Sequence, residues 1–169
     1  MRELPMAAVS RALSTMDRPA ISDISLTQAA VMVLLYLREG EYHILLTKRS
    51  DTVQDHKGEI AFPGGRMEST DASPLGTALR ETFEETGVWP DDVDVLGPLG
   101  GVSTHSGYFV NPFVGTIPGL YRFQLNVNEV SVAVEISLAR LVRDGTVPMD
   151  IQVGDEITKN FNVYLNFVL

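Results

Sequence analysis

One helix with clearly marked ends limits most strongly how this chain can fold. Ser73 precedes Pro74, and serine at the cap with proline in the first turn is a typical helix start. Gly87 is a typical stop, because glycine readily adopts the left-handed conformation that ends a helix. The segment between them has an apolar side at helical spacing: Leu75, Ala78, Leu79, Thr82 and Phe83. The pattern predicts a helix over residues 74–86.

Short apolar runs surround this helix and are typical of β-strands. They cover residues 29–37, 42–47, 59–62, 95–99, 109–116 and 131–136. The first two runs are a turn apart and predict a hairpin. A helical turn is expected over 138–142, and a second hairpin over 145–169 with its last strand at 163–169. Strands around one strong helix predict an α/β protein with a mixed sheet.

Length and composition set the class of protein. A chain of 169 residues favours a single domain, with residues 1–28 as an N-terminal extension in which the spacing of Met6, Val9 and Leu13 predicts a short helix. With 13 basic and 22 acidic residues, the net charge is −9, which argues against duplex nucleic acid and membrane surfaces as partners. The sequence has no cysteine, which excludes disulfides, thiolate metal sites and cysteine nucleophiles.

The longest apolar run, residues 29–37, is far shorter than the roughly 20 residues of a membrane-spanning helix. No export signal is recognisable at the N-terminus. We therefore expect a cytoplasmic protein.

Three carboxylates lie on one side of the predicted helix. Glu81, Glu84 and Glu85 are spaced i, i+3 and i+4. Like charges at i, i+4 cost a helix about 0.2–0.5 kcal/mol, and near its C-terminus the helix dipole opposes them as well. Two interpretations are open: a site for a hard divalent cation, or a solvated acidic face. The glycine pair Gly64 and Gly65 just before the helix favours the cation site, because glycine lets the backbone approach a ligand closely.

The stretch Arg-Glu-Thr-Phe-Glu-Glu-Thr-Gly-Val at 80–88 resembles the second half of the Nudix hydrolase signature. Thr82 replaces an apolar residue of that signature. In its first half, Asp71 replaces a glutamate and one extra residue separates Asp71 from Arg80. The resemblance implies an αβα sandwich, and an enzyme that uses Mg²⁺ or Mn²⁺ to hydrolyse a nucleoside diphosphate linked to another moiety.

The flanking segments resemble one branch of that family, the coenzyme A diphosphatases. They read Leu-Leu-Thr-Lys-Arg-Ser at 45–50, His-Lys-Gly-Glu-Ile-Ala-Phe-Pro-Gly-Gly at 56–65 and Thr-His-Ser-Gly-Tyr-Phe-Val-Asn-Pro at 104–112. The resemblance implies Mg²⁺-dependent hydrolysis of coenzyme A or its derivatives to 3′,5′-ADP and 4′-phosphopantetheine. The alternatives are another nucleoside diphosphate derivative, such as ADP-ribose or a nucleotide sugar, and a catalytically impaired Nudix-fold binding module.

The resemblance also implies the functional residues. The catalytic set is Arg80, Glu81, Glu84 and Glu85, and Glu81 is the first candidate for the base. The metal ligands are the three glutamates and the carbonyl of Gly65 or Gly64. Arg80 would orient a glutamate or, alternatively, clamp Asp71 or Glu68. The residues expected to bind a small-molecule substrate are Lys48, Arg49, His56, Lys57, Arg66 and Tyr108.

Two regions depart from the branch. Val132 stands where a second acidic residue is common, so a late carboxylate is missing unless Glu129 or Glu135 substitutes for it. The chain also ends before the C-terminal helix that usually covers one sheet face. Either the sequence is shortened at this end, or the N-terminal segment or a partner subunit would cover that face. We expect a homodimer, because an exposed apolar face favours association.

Overall fold

The computed structural model describes residues 6–15, 25–50, 60–144, 149–153 and 156–161. Residues 142–144, 149–153 and 156–161 are described by their backbone alone. The helices are α1 (Met6–Thr15), α2 (Pro74–Thr86) and α3 (Leu138–Asp144). The strands are β1 (Thr27–Arg38), β2 (Glu41–Arg49), β3 (Ile60–Ala61), β4 (Gly64–Arg66), β5 (Asp94–Pro98), β6 (Val102–Ser103), β7 (Tyr108–Thr116), β8 (Val130–Ser137), β9 (Met149–Val153) and β10 (Glu156–Phe161).

The first eight strands form one mixed sheet centred on β1. This strand pairs antiparallel with β2 and β4, and parallel with β7. The sheet continues from β2 to β3 and β8, and from β7 to β5 and β6, all antiparallel. Strands β1 and β2 form the predicted hairpin, closed by Glu39 and Gly40, which both have positive φ. The predicted α/β fold with a mixed sheet is confirmed.

Helix α2 has the predicted bounds and the predicted caps. The Ser73 hydroxyl accepts a hydrogen bond from the Gly76 N–H, and Gly87 adopts the left-handed conformation at φ 72°. The helical turn expected at 138–142 is α3. A C-terminal hairpin is present as β9–β10, but it occupies 149–161, and the strand predicted at 163–169 lies outside the described residues.

Each face of the sheet carries its own apolar core. The core beneath α2 contains Met32, Leu34 and Leu45 of the sheet together with Ala78 of the helix. The core on the opposite face is built from alternate residues of the same strands, such as Val33, Leu35 and Leu46. The middle of β1 is covered on both sides, which accounts for the continuous apolar run at 29–37.

Two short helices cover the second face. Leu13 of α1 is 5% exposed and Leu141 of α3 is 3% exposed, and both belong to that core. The Ser10 hydroxyl of α1 also donates to the Leu96 carbonyl at 3.0 Å. The N-terminal segment therefore covers part of the face expected to lie open, which weakens the reason for expecting a homodimer. No helix follows α3 within the described residues, and none of the described helices is long and apolar enough to cross a membrane.

Candidate active site

Strand β2 and helix α2 together create a polar end in an otherwise apolar interface. Side chains alternate along a strand, so Leu45, Thr47 and Arg49 share the sheet face that packs against α2. Leu45 belongs to the core, whereas Thr47 and Arg49 meet the last turn of the helix, where Glu85 is only 3% exposed. A carboxylate this deeply buried requires polar partners.

Glu85 has three such partners. Its Oε2 accepts a hydrogen bond from the Thr47 hydroxyl at 3.3 Å, and its carboxylate also accepts from the backbone N–H of Gly64. Arg49 supplies a nearby positive charge. Burial nevertheless dominates and, with repulsion from Glu81, raises the pKa of Glu85 to about 7. A carboxyl group whose pKa is raised to near pH 7 by burial is typical of a functional site.

Glu81 lies one helical turn earlier and rests directly on Gly65. A Cβ atom added to Gly65 would come within 2.5 Å of the Glu81 Cδ and Oε1 atoms, so this contact requires glycine. Burial raises the pKa of Glu81, although the adjacent Arg80 opposes the change. The close approach of the backbone expected at the glycine pair is therefore present, and a glutamate fills the space that it leaves.

Arg80 orients a glutamate and clamps Asp71, which were the two alternatives for this residue. Its Nε and Nη2 atoms donate to Oδ1 and Oδ2 of Asp71, both at 2.9 Å. Its Nη1 donates to Glu81 Oε1 at 3.0 Å and to Glu84 Oε2 at 2.9 Å. Asp71 Oδ2 also accepts from the Thr77 hydroxyl and the Glu68 N–H. Arg80 thus ties the loop before α2 to the acidic side of the helix.

Only two of the three predicted carboxylates line the pocket, although Glu84 shares the Arg80 Nη1 donor with Glu81. Glu81 and Glu85 face the same pocket, but Glu84 is largely exposed and points to Arg80. The i, i+3 and i+4 spacing makes the three side chains neighbours on the helix but does not by itself direct all three into one pocket. The role of Glu84 as a metal ligand stays a prediction.

A pocket of about 350 Å³ opens in front of Glu81 and Glu85. Both signs of charge line it, and its walls come from β1, β2, β4, β7, α2 and the residue just before β8: Ala29, Arg49, Gly64, Gly65, Arg66, Glu81, Glu85, Tyr108 and Glu129. The Nε of Arg49 is buried and has no hydrogen-bond partner among the described residues. A buried donor without a partner is costly, and a bound anion would satisfy it.

Glu129 is brought to this pocket by the segment that leads from β7 to β8. The backbone N–H groups of Gln124 and Asn126 donate to the carbonyls of Thr86 and Glu85, at 2.8 and 3.1 Å, and so satisfy the end of α2. The Asn126 amide then donates to Glu129 Oε1 at 2.9 Å. The charge of Glu129 is close enough to raise the pKa of Glu81 further.

Glu135, the other carboxylate suggested for this role, lies at the opposite end of the sheet. Its Oε2 accepts from the Tyr36 hydroxyl and from Arg38 Nη1, both at 2.7 Å. Burial raises the pKa of Glu135, but these two bonds, with the nearby positive charge of Arg38, outweigh that effect and lower it overall. Of the two carboxylates that follow Val130 or precede it closely in the chain, Glu129 and not Glu135 therefore lies beside Glu81 and Glu85.

The predicted substrate-binding residues divide into three groups. Arg49, Arg66 and Tyr108 line the pocket. Lys48 precedes Arg49 in β2, so strand alternation places it on the opposite sheet face. His56 and Lys57 lie outside the described residues.

Thr47 contacts the site through Glu85, although the sequence pattern assigns it no role. It belongs to the Leu-Leu-Thr-Lys-Arg-Ser segment at 45–50, and the residue is 2% exposed. The signal that could have identified it is the two-residue period of a strand, which places Thr47 and Arg49 on the same face.

The residues of this pocket fit a hard divalent cation. Within the described part of the chain, no three carboxylate or imidazole side chains are already gathered around one point. Three carboxylates nevertheless line the pocket and can supply oxygen ligands, namely Glu81 and Glu85 on α2 and Glu129 just before β8. Magnesium prefers oxygen ligands, and it usually takes only one or two carboxylates and keeps waters and substrate phosphates in its remaining positions.

Comparison with known proteins agrees with this geometry. Residues 26–144 match the model of the NUDIX domain. The chain is 42% identical over 136 residues to a protein of Cronobacter sakazakii named "Uncharacterized Nudix hydrolase NudL", covering 79% of this chain and 71% of that protein. It is 40% identical over 137 residues to the protein of the same name from Escherichia coli K12, with the same two coverages.

Solved structures share the fold. An Ap4A hydrolase of C. elegans, in a binary complex, matches with a TM-score of 0.58 and 17% identity over 70% of this chain and 85% of that one. The NUDIX domain of NrtR from Shewanella oneidensis, complexed with ADP ribose, matches with a TM-score of 0.53 and 23% identity over 79% and 86%. With the family model matching most of its length, this chain belongs to the Nudix family and is a hydrolase that acts on pyrophosphate bonds.

Proposed function

We propose that this chain hydrolyses the diphosphate bond of coenzyme A or its derivatives, with Mg²⁺ or Mn²⁺, to give 3′,5′-ADP and 4′-phosphopantetheine. The observation that carries the proposal is one pocket lined by the carboxylates Glu81 and Glu85 together with the guanidinium groups of Arg49 and Arg66. A diphosphate bridged to a metal needs this combination, because carboxylates hold the cation while arginines bind the remaining phosphate charge.

Glu81 and Glu85 would hold the metal, with the Gly65 carbonyl and, as a third carboxylate, Glu84 or Glu129. When bound, the ion would neutralise diphosphate charge and lower the pKa of a water molecule. The support for Glu85 is its burial beside the pocket, since a buried carboxylate gains most from a cation.

The chain's own groups would then position the reactants. Glu81 has a raised pKa and an oxygen beside Gly65, which suits it to accept a proton from an attacking water. Glu129, fixed by Asn126, is the second candidate for that role. The unpartnered Nε of Arg49 would donate to a phosphate oxygen.

Coenzyme A is preferred to other diphosphates because of the segments around the pocket. The branch-like segments 45–50 and 104–112 contribute Arg49 and Tyr108 to its walls. Coenzyme A also carries a 3′-phosphate, so the two arginines of this pocket, Arg49 and Arg66, have a use on a protein of net charge −9.

The test is hydrolysis of coenzyme A with Mg²⁺, with the products separated by chromatography. We expect 3′,5′-ADP from the wild type and none from Glu85→Gln. An unchanged substrate would refute the coenzyme A assignment. ADP-ribose and nucleotide sugars would be assayed next, and turnover of one of them would identify a different Nudix substrate. If none were turned over, the chain would be a catalytically impaired binding module.

A further inference from the structure

The hydroxyl of Thr47 lies where it can fix one oxygen of Glu85. Thr47 is a central residue of β2, paired with Ala61 of β3 on one side and Ala133 of β8 on the other. The small side chains of these neighbours leave Thr47 as the polar group beneath the last turn of α2. Its hydroxyl has two acceptors within reach, Glu85 Oε2 at 3.3 Å and the Ala61 carbonyl at 3.5 Å.

A hydroxyl has one proton, so these two acceptors compete for it. A hydrogen bond to a carboxylate is roughly twice as strong as one to a neutral carbonyl, and Glu85 is also the nearer acceptor. The proton therefore goes to Glu85 whenever that carboxylate is ionised. One Glu85 oxygen is then held inside the protein, which leaves the other for the pocket.

Arg49 offers Glu85 a competing position. Its guanidinium lies close enough to lower the pKa of Glu85, and its Nε is buried without a partner among the described residues. A Glu85 carboxylate that was free to rotate would pair with this donor. It would then leave the metal site and also occupy the arginine needed by the substrate.

We propose that Thr47 is a positioning residue whose hydroxyl holds Glu85 Oε2 and keeps this carboxylate directed at the divalent cation instead of at Arg49. The inference rests on the proposed function, because it requires that Glu85 is a metal ligand. It assigns the threonine of the Leu-Leu-Thr-Lys-Arg-Ser segment a task distinct from substrate contact.

The experiment is a titration of the full chain with Mn²⁺, in which the free ion is counted by electron paramagnetic resonance. Thr47→Val keeps the shape of the side chain and removes the hydroxyl, and we expect it to weaken Mn²⁺ affinity by about 10–100-fold, as loss of a group that orients a ligand usually does. Thr47→Ser restores the hydroxyl and should bind within about threefold of the wild type. Melting curves show whether each variant is folded.

Thr82→Val is the matched control. Thr82 is also a fully buried threonine and lies on α2, the helix that carries Glu85, but its hydroxyl has no hydrogen-bond partner among the described residues. This variant should bind Mn²⁺ like the wild type. If Thr47→Val does not fold, Thr47→Ala and Thr47→Ser replace it, since they differ from each other only in the hydroxyl.

Two results would overturn the inference and are distinguishable. If Glu85→Gln abolishes Mn²⁺ binding but Thr47→Val retains wild-type affinity, the Thr47 role is wrong and the metal site stands. If the wild type binds no Mn²⁺, or Glu85→Gln binds it equally well, the proposed metal site fails and the Thr47 role fails with it.

Discussion

Arg80 and Asp71 form a two-armed ion pair across the loop that precedes α2. Both of its N–O distances are 2.9 Å, and the Asp71 side chain is only 6% exposed. Asp71 stands where the Nudix signature has a glutamate, and the sequence between the pair is one residue longer than in that signature. Aspartate has a shorter side chain than glutamate, and the loop is one residue longer. The Nε and Nη2 atoms of Arg80 nevertheless both donate to the Asp71 carboxylate. The departure from the signature therefore preserves the clamp.

Replacing Asp71 by asparagine should destabilise the fold in a pH-dependent way. The Arg80 guanidinium holds the pKa of Asp71 well below its usual range, so the carboxylate stabilises the folded state above about pH 4. That stability is lost as the pH falls further, through the lowered pKa of the folded state. At pH 7 we expect Asp71→Asn to cost about 2 kcal/mol in urea unfolding.

The difference between Asp71→Asn and the wild type should shrink as the pH falls below 4. Asp91→Asn is a suitable control, because Asp91 is exposed and should change stability by less than about 0.5 kcal/mol. A constant difference between pH 7 and pH 2 would show that the Asp71 charge does not stabilise the fold.

The ends of α2 could be predicted from the sequence because they depend on neighbours in the chain. Ser73 caps an N–H three residues later, and Gly87 closes the last turn through its own backbone. The burial of Glu85 could not be predicted in this way, because it depends on Thr47 and Arg49 of a distant strand. The same is true of α1, whose position on the second sheet face is set by contacts with β5.

Glu85→Gln should stabilise the metal-free protein while abolishing its activity. Burial raises the pKa of Glu85 to about 7, above the unfolded value near 4.3, so ionisation of Glu85 disfavours folding. This penalty is absent below about pH 4.3, grows as the pH rises and is complete above pH 7. In EDTA at pH 8 we expect Glu85→Gln to be more stable by about 1–3 kcal/mol in urea unfolding.

Glu84→Gln is the control for Glu85→Gln, since Glu84 is exposed and its pair with Arg80 should contribute no more than about 0.5 kcal/mol. The stability gain of Glu85→Gln should fade between pH 7 and pH 4.5. A Glu85→Gln protein less stable than the wild type at pH 8 would contradict the assigned cause of the pKa shift.

Gly65→Ala should disable the site without preventing folding. The added Cβ would lie 2.5 Å from the Glu81 carboxylate, which must move away. Because displacements of about 1 Å at a reacting centre cost on the order of 100-fold in rate, diphosphatase activity should fall about that much.

Gly76→Ala is the matched control. Its Cβ would meet only Ser73 Oγ at 3.5 Å, so it should keep full activity and gain about 0.5–1 kcal/mol as a helix residue. Equal activity of the two variants would show that Glu81 has room to adjust.

Leu13→Ala tests whether α1 covers the second sheet face in solution. Leu13 is 5% exposed and packs in the core with Val33, Leu35 and Leu46, so truncation should cost about 3 kcal/mol in urea unfolding. Turnover per folded molecule should not change, because α1 lies on the face opposite α2.

Ser14→Ala, on the exposed side of the same helix, should stay within about 0.5 kcal/mol of the wild type. A loosened α1 would expose apolar surface, so Leu13→Ala should also elute earlier than the wild type in size-exclusion chromatography as concentration rises. Wild-type stability in Leu13→Ala would mean that something other than α1 covers this face, and a partner subunit would then be the first candidate.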